Sequence, residues 1–145
     1  LYFYPELLDE QGHLLTERFF FGEEDFEFSL RLKEQKVKMA CVLDSLIYHK
    51  VGASGNKMNG VGKLYMHYLN RYIDVRQHMN SVSYAVWKLL NLPLVMRYFY
   101  RATGSVGMTC RLYGQLKRDA VAKEGVTQED FNRLVLENNY FSFKV

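Results

Sequence analysis

The sequence predicts a chain that passes from α/β to mainly α, with one helix and a short β-hairpin in its first third and helices thereafter. Three observations carry this. Phe26 with Leu30 and Phe28 with Leu32 form apolar i,i+4 pairs between residues 23 and 35. Two short apolar runs, Lys38 to Leu43 and Leu46 to His49, flank an Asp44-Ser45 turn. From Leu64 onward apolar residues recur with helical spacing. Apolar residues make up 48% of the 145 and charged residues 24%, which excludes a disordered tail. Cys41 and Cys110 cannot build a disulfide framework or a zinc cluster. The longest apolar stretch, Tyr84 to Met96, is broken by Lys88, Asn91 and Pro93 and is too short for a membrane span.

The elements follow in order. Pro5 to Gln11 reads as a short helix, with Pro5 in its first turn and Gly12 at its end. Leu14 to Gly22 reads as an extended aromatic approach. Glu23 to about Gln35 is the next helix. Glu23, Glu24 and Asp25 suit the positive end of its dipole, and Lys33 and Lys36 suit the negative end. After the hairpin, Val51 to Gly62 is a loop with four glycines. Leu64 to Met79 carries an apolar stripe of Leu64, Tyr65, Tyr68, Leu69, Tyr72, Ile73 and Met79. Ser81 or Ser83 caps a helix that Pro93 ends, and Leu94 to Ala102 forms another, broken at Gly104. Ser105 to Lys123 forms the next, stopped at Gly125. Thr127 and Asp130 form an approximate capping box for a last helix with Phe131, Leu134 and Val135.

Charge is unevenly laid out. Residues 1–36 carry net −5, and residues 57–118 carry ten basic groups against Asp74 alone. Such a layout suggests chemistry at the front and surface binding in the middle.

Two features bear on chemistry. The run Phe19-Phe20-Phe21-Gly22-Glu23-Glu24-Asp25-Phe26-Glu27-Phe28-Ser29-Leu30-Arg31 puts carboxylates beside a glycine at a helix start. There the dipole keeps them ionised, as a general base requires. The plainer reading is a solvated acidic first turn, with Glu27 and Arg31 paired at i,i+4. The second feature is His49 at a strand end, followed by Val51-Gly52-Ala53-Ser54-Gly55. A histidine so placed can ligate a metal or hydrogen-bond a phosphate. The loop matches neither phosphate-binding glycine fingerprint, because Val61 stands where a P-loop needs lysine and Gly60-Val61-Gly62 lacks a third glycine.

Together and in this order, the acidic pair, Glu27, Arg31, the hairpin and His49-x-x-Gly52-x-Ser54 resemble the C-terminal half of the catalytic domain of family-two glycosyltransferases. These are GT-A fold enzymes that use nucleotide-sugar donors. Pro5 to Gly12 followed by Phe19 to Gly22 resembles the family's approach to its acidic motif. Tyr68-Leu69-Asn70-Arg71-Tyr72 resembles its arginine-bearing helix, and Arg111 to Asp119 its glycine-containing tail helix. The resemblance implies that residues 1–56 are the C-terminal remnant of a GT-A domain and residues 57–145 a helical extension. It implies Asp25 as the catalytic base, Glu24 as the group that orients Asp25 or the acceptor, and Glu27 and Arg31 as motif support. It implies His49, Gly52 and Ser54 at the donor diphosphate, with His49 a candidate metal ligand. Glu27 departs from the family's usual aspartate.

The implied activity is inverting transfer of a sugar to a hydroxyl of a polysaccharide, glycolipid or lipid-linked glycan. A divalent metal, magnesium or manganese, is expected in the parent protein. The sequence holds no Asp-x-Asp signature. The chain is therefore expected to be a C-terminal fragment, inactive alone, with no bound metal of its own and with uncovered apolar surface that favours a homodimer. The basic helices are expected either to line a bundle or to touch an anionic membrane surface, which would place the protein in the cytoplasm, peripheral on the membrane's inner face. No nucleic-acid module is present. The competing class is a non-enzymatic helical adaptor that binds an anionic partner or membrane through those helices. Trp87 and the tyrosine stripe read as core rather than as a sugar platform, although an exposed Tyr65 or Tyr68 near the donor loop could stack on acceptor rings, and His67 and His78 read as surface or packing residues.

Overall fold

The computed structural model describes residues 7, 8, 12–38, 40, 44, 46, 48 and 60–137. Over these the fold is mainly α. α1 spans Glu24–Glu34, α2 Gly60–His78, α3 Ser81–Thr103, α4 Val106–Ala122 and α5 Gln128–Phe131, which runs into a π-helical turn at Asn132–Leu136. The described residues contain no strand, only an isolated parallel bridge between Phe19 and Val126. The expected hairpin falls largely outside them, and its described members, Lys38, Ala40, Asp44, Leu46 and Tyr48, are not in strands.

α2 is the central element because its apolar residues recur around most of its circumference. It packs against α3, α4 and the π-helical turn. Tyr65, Leu69, Tyr72 and Ile73 are fully buried there with Val95 and Phe99 of α3, Leu112 and Leu116 of α4, and Leu134. Phe19 of the aromatic approach belongs to the same core. The expected division at residue 56/57 is thus crossed by a shared core.

α3 corrects the expectation of two helices separated by Pro93. It is one 23-residue helix with Pro93 inside it. Proline removes one backbone hydrogen bond from a helix. Here it lies on the exposed face, where water can serve the freed carbonyl, while Val95 and Phe99 anchor the inner face. The N-cap is Asn80, not Ser81 or Ser83, and its side chain accepts from the Ser83 N–H at 2.9 Å. Gly104 ends the helix with φ 67°, as expected.

α4 is capped by Ser105 and ends at Ala122, three residues before Gly125. Gly125 has a different use. A methyl group there would run into the Arg18 carbonyl, so only glycine lets the two backbones close up. The Val126 N–H donates to the Arg18 carbonyl and the Phe20 N–H to the Val126 carbonyl, each at 2.8 Å. The Thr127–Asp130 capping box forms as expected. It opens α5, whose Phe131 ring lies 5.4 Å from those of Phe20 and Phe21. The tail of the chain thereby holds the approach to the acidic run.

Candidate functional site

The acidic run sits at the start of α1, docked on α2. Gly22 has φ 71° and Glu23 φ 95°, two successive left-handed residues that turn the chain sharply into the helix. Glycine tolerates that conformation and glutamate does so only at a cost. Three contacts hold the turn. The Asn70 amide donates to the carbonyls of Phe21 and Gly22 at 3.0 and 2.9 Å. The Arg71 guanidinium forms an ion pair with Glu23, and it also lies over the Phe26 ring, 3.5 Å from its centroid.

The carboxylates then divide into two groups. Glu23 and Glu27 are buried. Glu27 lies 3.4 Å from Arg31 and 3.5 Å from Arg18, so the pairing expected with Arg31 is present. Arg31 also donates to the carbonyls of Leu7 and Leu14 at 2.8 and 2.7 Å, fastening the approach segment to α1. Asp25 is exposed, and among the described residues it has no ion pair. Its Oδ1 accepts only the neighbouring Phe26 N–H, at 2.8 Å. Glu24 is half-buried, and its Oε2 has no hydrogen-bond partner among the described residues.

Glu23 departs from the expectation that the whole first turn is ionised. Burial pushes its carboxyl up to about 7, and the Arg71 charge offsets only part of that. Desolvation outweighs the helix dipole because the side chain is almost fully out of water.

A second carboxylate chain ties the other end of α1 to α2. His78 Nδ1 lies 2.8 Å from Glu34, and its Nε2 lies 3.4 Å from Asp74. Asp74 is fully buried, and desolvation pushes it up to about 6. A third buried group joins α2 to α4: the Tyr65 hydroxyl donates to Asp119 at 2.5 Å, and the Gln115 amide donates to the same carboxylate at 2.7 Å. Tyr65 is therefore not a stacking platform, and Tyr68 is also buried. Their rings pack on Phe99.

A cleft of about 440 Å³ adjoins the acidic turn. His67, Tyr68 and Arg71 of α2 and Trp87, Asn91 and Tyr98 of α3 line it. Arg71 belongs to both places, since it faces the cleft and holds Glu23. Burial and the Arg71 charge lower the His67 pKa below its ordinary 6.5, leaving a neutral imidazole at pH 7.

His49, Gly52 and Ser54 lie outside the described residues. Among those described, no three His, Cys, Asp or Glu side chains gather where a metal ion would sit.

The sequence did not reveal the buried structural roles of Glu23, Asn70 and Asp74. Asn70 and Asp74 carried a signal, because each is a polar residue set among the buried apolar positions of α2. Glu23 read as one of three acidic residues in a solvated first turn, with no signal that it is buried. No family model, curated protein or solved structure matches the chain.

Proposed function

We propose that the chain is the C-terminal part of an inverting glycosyltransferase, with Asp25 as the base that activates an acceptor hydroxyl. The donor is a nucleotide-diphosphate sugar. The Asp25 carboxylate takes the acceptor proton as the acceptor oxygen bonds to the anomeric carbon. The bond from that carbon to the diphosphate oxygen breaks, and its electron pair leaves on the nucleotide diphosphate. A divalent metal, with His49 as a candidate ligand, would neutralise that charge in the longer protein.

The observation that supports this reading is the division among the carboxylates. Glu23 and Glu27 are spent on fixing the turn, while Asp25 stands exposed at its edge with its second oxygen open to an incoming hydroxyl. Positioning is what a base needs, and the Gly22–Glu23 turn, Asn70 and Arg71 supply it. The neighbouring cleft suits an acceptor sugar, with aromatic faces at Trp87 and Tyr98 and hydrogen-bonding groups at Asn91 and His67.

The test is transfer by the longer protein of which this chain is taken to be a part. Asp25→Asn removes the proton acceptor and keeps the shape. Its kcat is expected to fall by about 10²–10⁴, and unchanged turnover removes Asp25 from the role.

A further inference from the structure

α3 presents a second face that the core does not use. Val95 and Phe99 point inward and are fully buried. On the opposite side, helical spacing aligns Val82, Val86, Leu89, Leu90 and Pro93, followed by Arg97 and Arg101. Val82 is 75% exposed, Val86 52%, Leu89 69% and Leu90 74%. A contiguous exposed row of this kind marks a surface that is covered in use. The helix is about 34 Å long at 1.5 Å per residue, yet among the described residues no helix is long and apolar enough to cross a membrane.

Charge decides what covers it. Residues 75–118 contain no Asp or Glu and seven Lys or Arg. Arg97 and Arg101 are exposed and form no ion pair among the described residues. The α3 helix of a second copy fits badly on this face. Antiparallel pairing of two α3 helices would set Arg97 and Arg101 against Val82 and Val86. Parallel pairing would set arginine against arginine. Either buries guanidinium groups with no carboxylate on the facing helix. An anionic bilayer accepts both parts. The valines and leucines enter the headgroup–acyl boundary, and the arginines extend to lipid phosphates.

We propose that α3 is a membrane-docking helix. It lies flat on an anionic lipid surface through Val82, Val86, Leu89 and Leu90, with Arg97 and Arg101 as the phosphate contacts. This assignment is independent of any catalytic role for Asp25.

The experiment is co-flotation of the full chain with vesicles of phosphatidylcholine alone and with 30% phosphatidylglycerol added, on the order of a physiological anionic content. Binding to the anionic vesicles, weakened by raised salt, is the expected result. Arg97→Gln with Arg101→Gln is expected to weaken it about tenfold or more. Leu89→Ser with Leu90→Ser, at exposed positions that leave the core intact, is expected to abolish it with the circular dichroism unchanged. Equal binding to both vesicle types overturns the electrostatic part. Absence of binding to either, or variants that bind like the wild type, overturns the proposal. So does a dimer in solution that Leu89→Ser with Leu90→Ser dissociates.

Discussion

Arg71 reaches from α2 to Glu23 at the entrance of α1 and forms an ion pair with a carboxylate that is almost entirely out of water. The same guanidinium lies over the Phe26 ring and faces the cleft between α2 and α3. One side chain from the basic helices therefore fixes the acidic turn. The uneven charge layout of the sequence is partly resolved by folding the acidic front onto the basic middle. His78 with Glu34 does the same at the far end of α1.

Removing the cation should expose this dependence. Arg71→Met keeps the aliphatic stem but leaves Glu23 buried without its partner. The variant is expected to lose about 2–3 kcal/mol of unfolding free energy at pH 8. At pH 5 Glu23 is protonated in the folded protein, so the loss should shrink. Urea denaturation at the two pH values, followed by the fluorescence of Trp87, the only tryptophan, measures both.

Glu23 also sets a pH dependence whose sign is fixed. Its folded value of about 7 lies above its ordinary 4.5, so the folded state holds a proton that the unfolded state releases. Its stabilising contribution is complete below about pH 4.5 and is lost as pH rises through about 7. Glu23→Gln cannot lose that proton. Relative to this variant, the wild type should become less stable between pH 4.5 and 7.5, by on the order of 3 kcal/mol. A constant difference between the two proteins across that window would show that Glu23 titrates normally. Asp74, raised from 3.8 to about 6 by burial, should act in the same direction between those values, and Asp74→Asn isolates its share.

The Tyr65–Asp119–Gln115 group joins α2 to α4 inside the core. Tyr65→Phe removes the shortest of its hydrogen bonds and leaves one carboxylate oxygen without a donor. Such a loss costs about 1–3 kcal/mol. The expected result is a lower denaturation midpoint with an unchanged slope. A midpoint equal to the wild type would mean that the carboxylate finds another partner at no cost.

Helix existence was legible because local rules and burial agree. α1, α2 and α4 lie close to where their i,i+4 pairs, dipole charges and glycines put them. The Thr127–Asp130 box was readable for the same reason. Pro93 misled because its effect depends on which face it occupies, and a single sequence does not say that this face meets solvent. Gly125 misled because helix termination and close backbone approach both select glycine. At the site, the exposed Asp25 and the Glu27–Arg31 pair were readable from spacing. The clamp on Glu23 was not, because Arg71 lies 48 positions away and only packing brings them together. The tyrosine stripe of α2 was legible as core, and Tyr65, Tyr68 and Tyr72 are buried there, with Tyr68 also at the wall of the cleft.

On the proposed reading Asp25 works on the substrate while Glu23 builds the turn. Steady-state transfer by the longer protein, compared for Asp25→Asn and Glu23→Gln, tests it most directly. Asp25→Asn should lower kcat at least about 100-fold with its melting temperature unchanged. Glu23→Gln should alter stability and its pH dependence with a far smaller effect on kcat. An Asp25→Asn enzyme that retains wild-type kcat, or a Glu23→Gln enzyme that loses as much activity as Asp25→Asn while remaining folded, would rule out this division of roles.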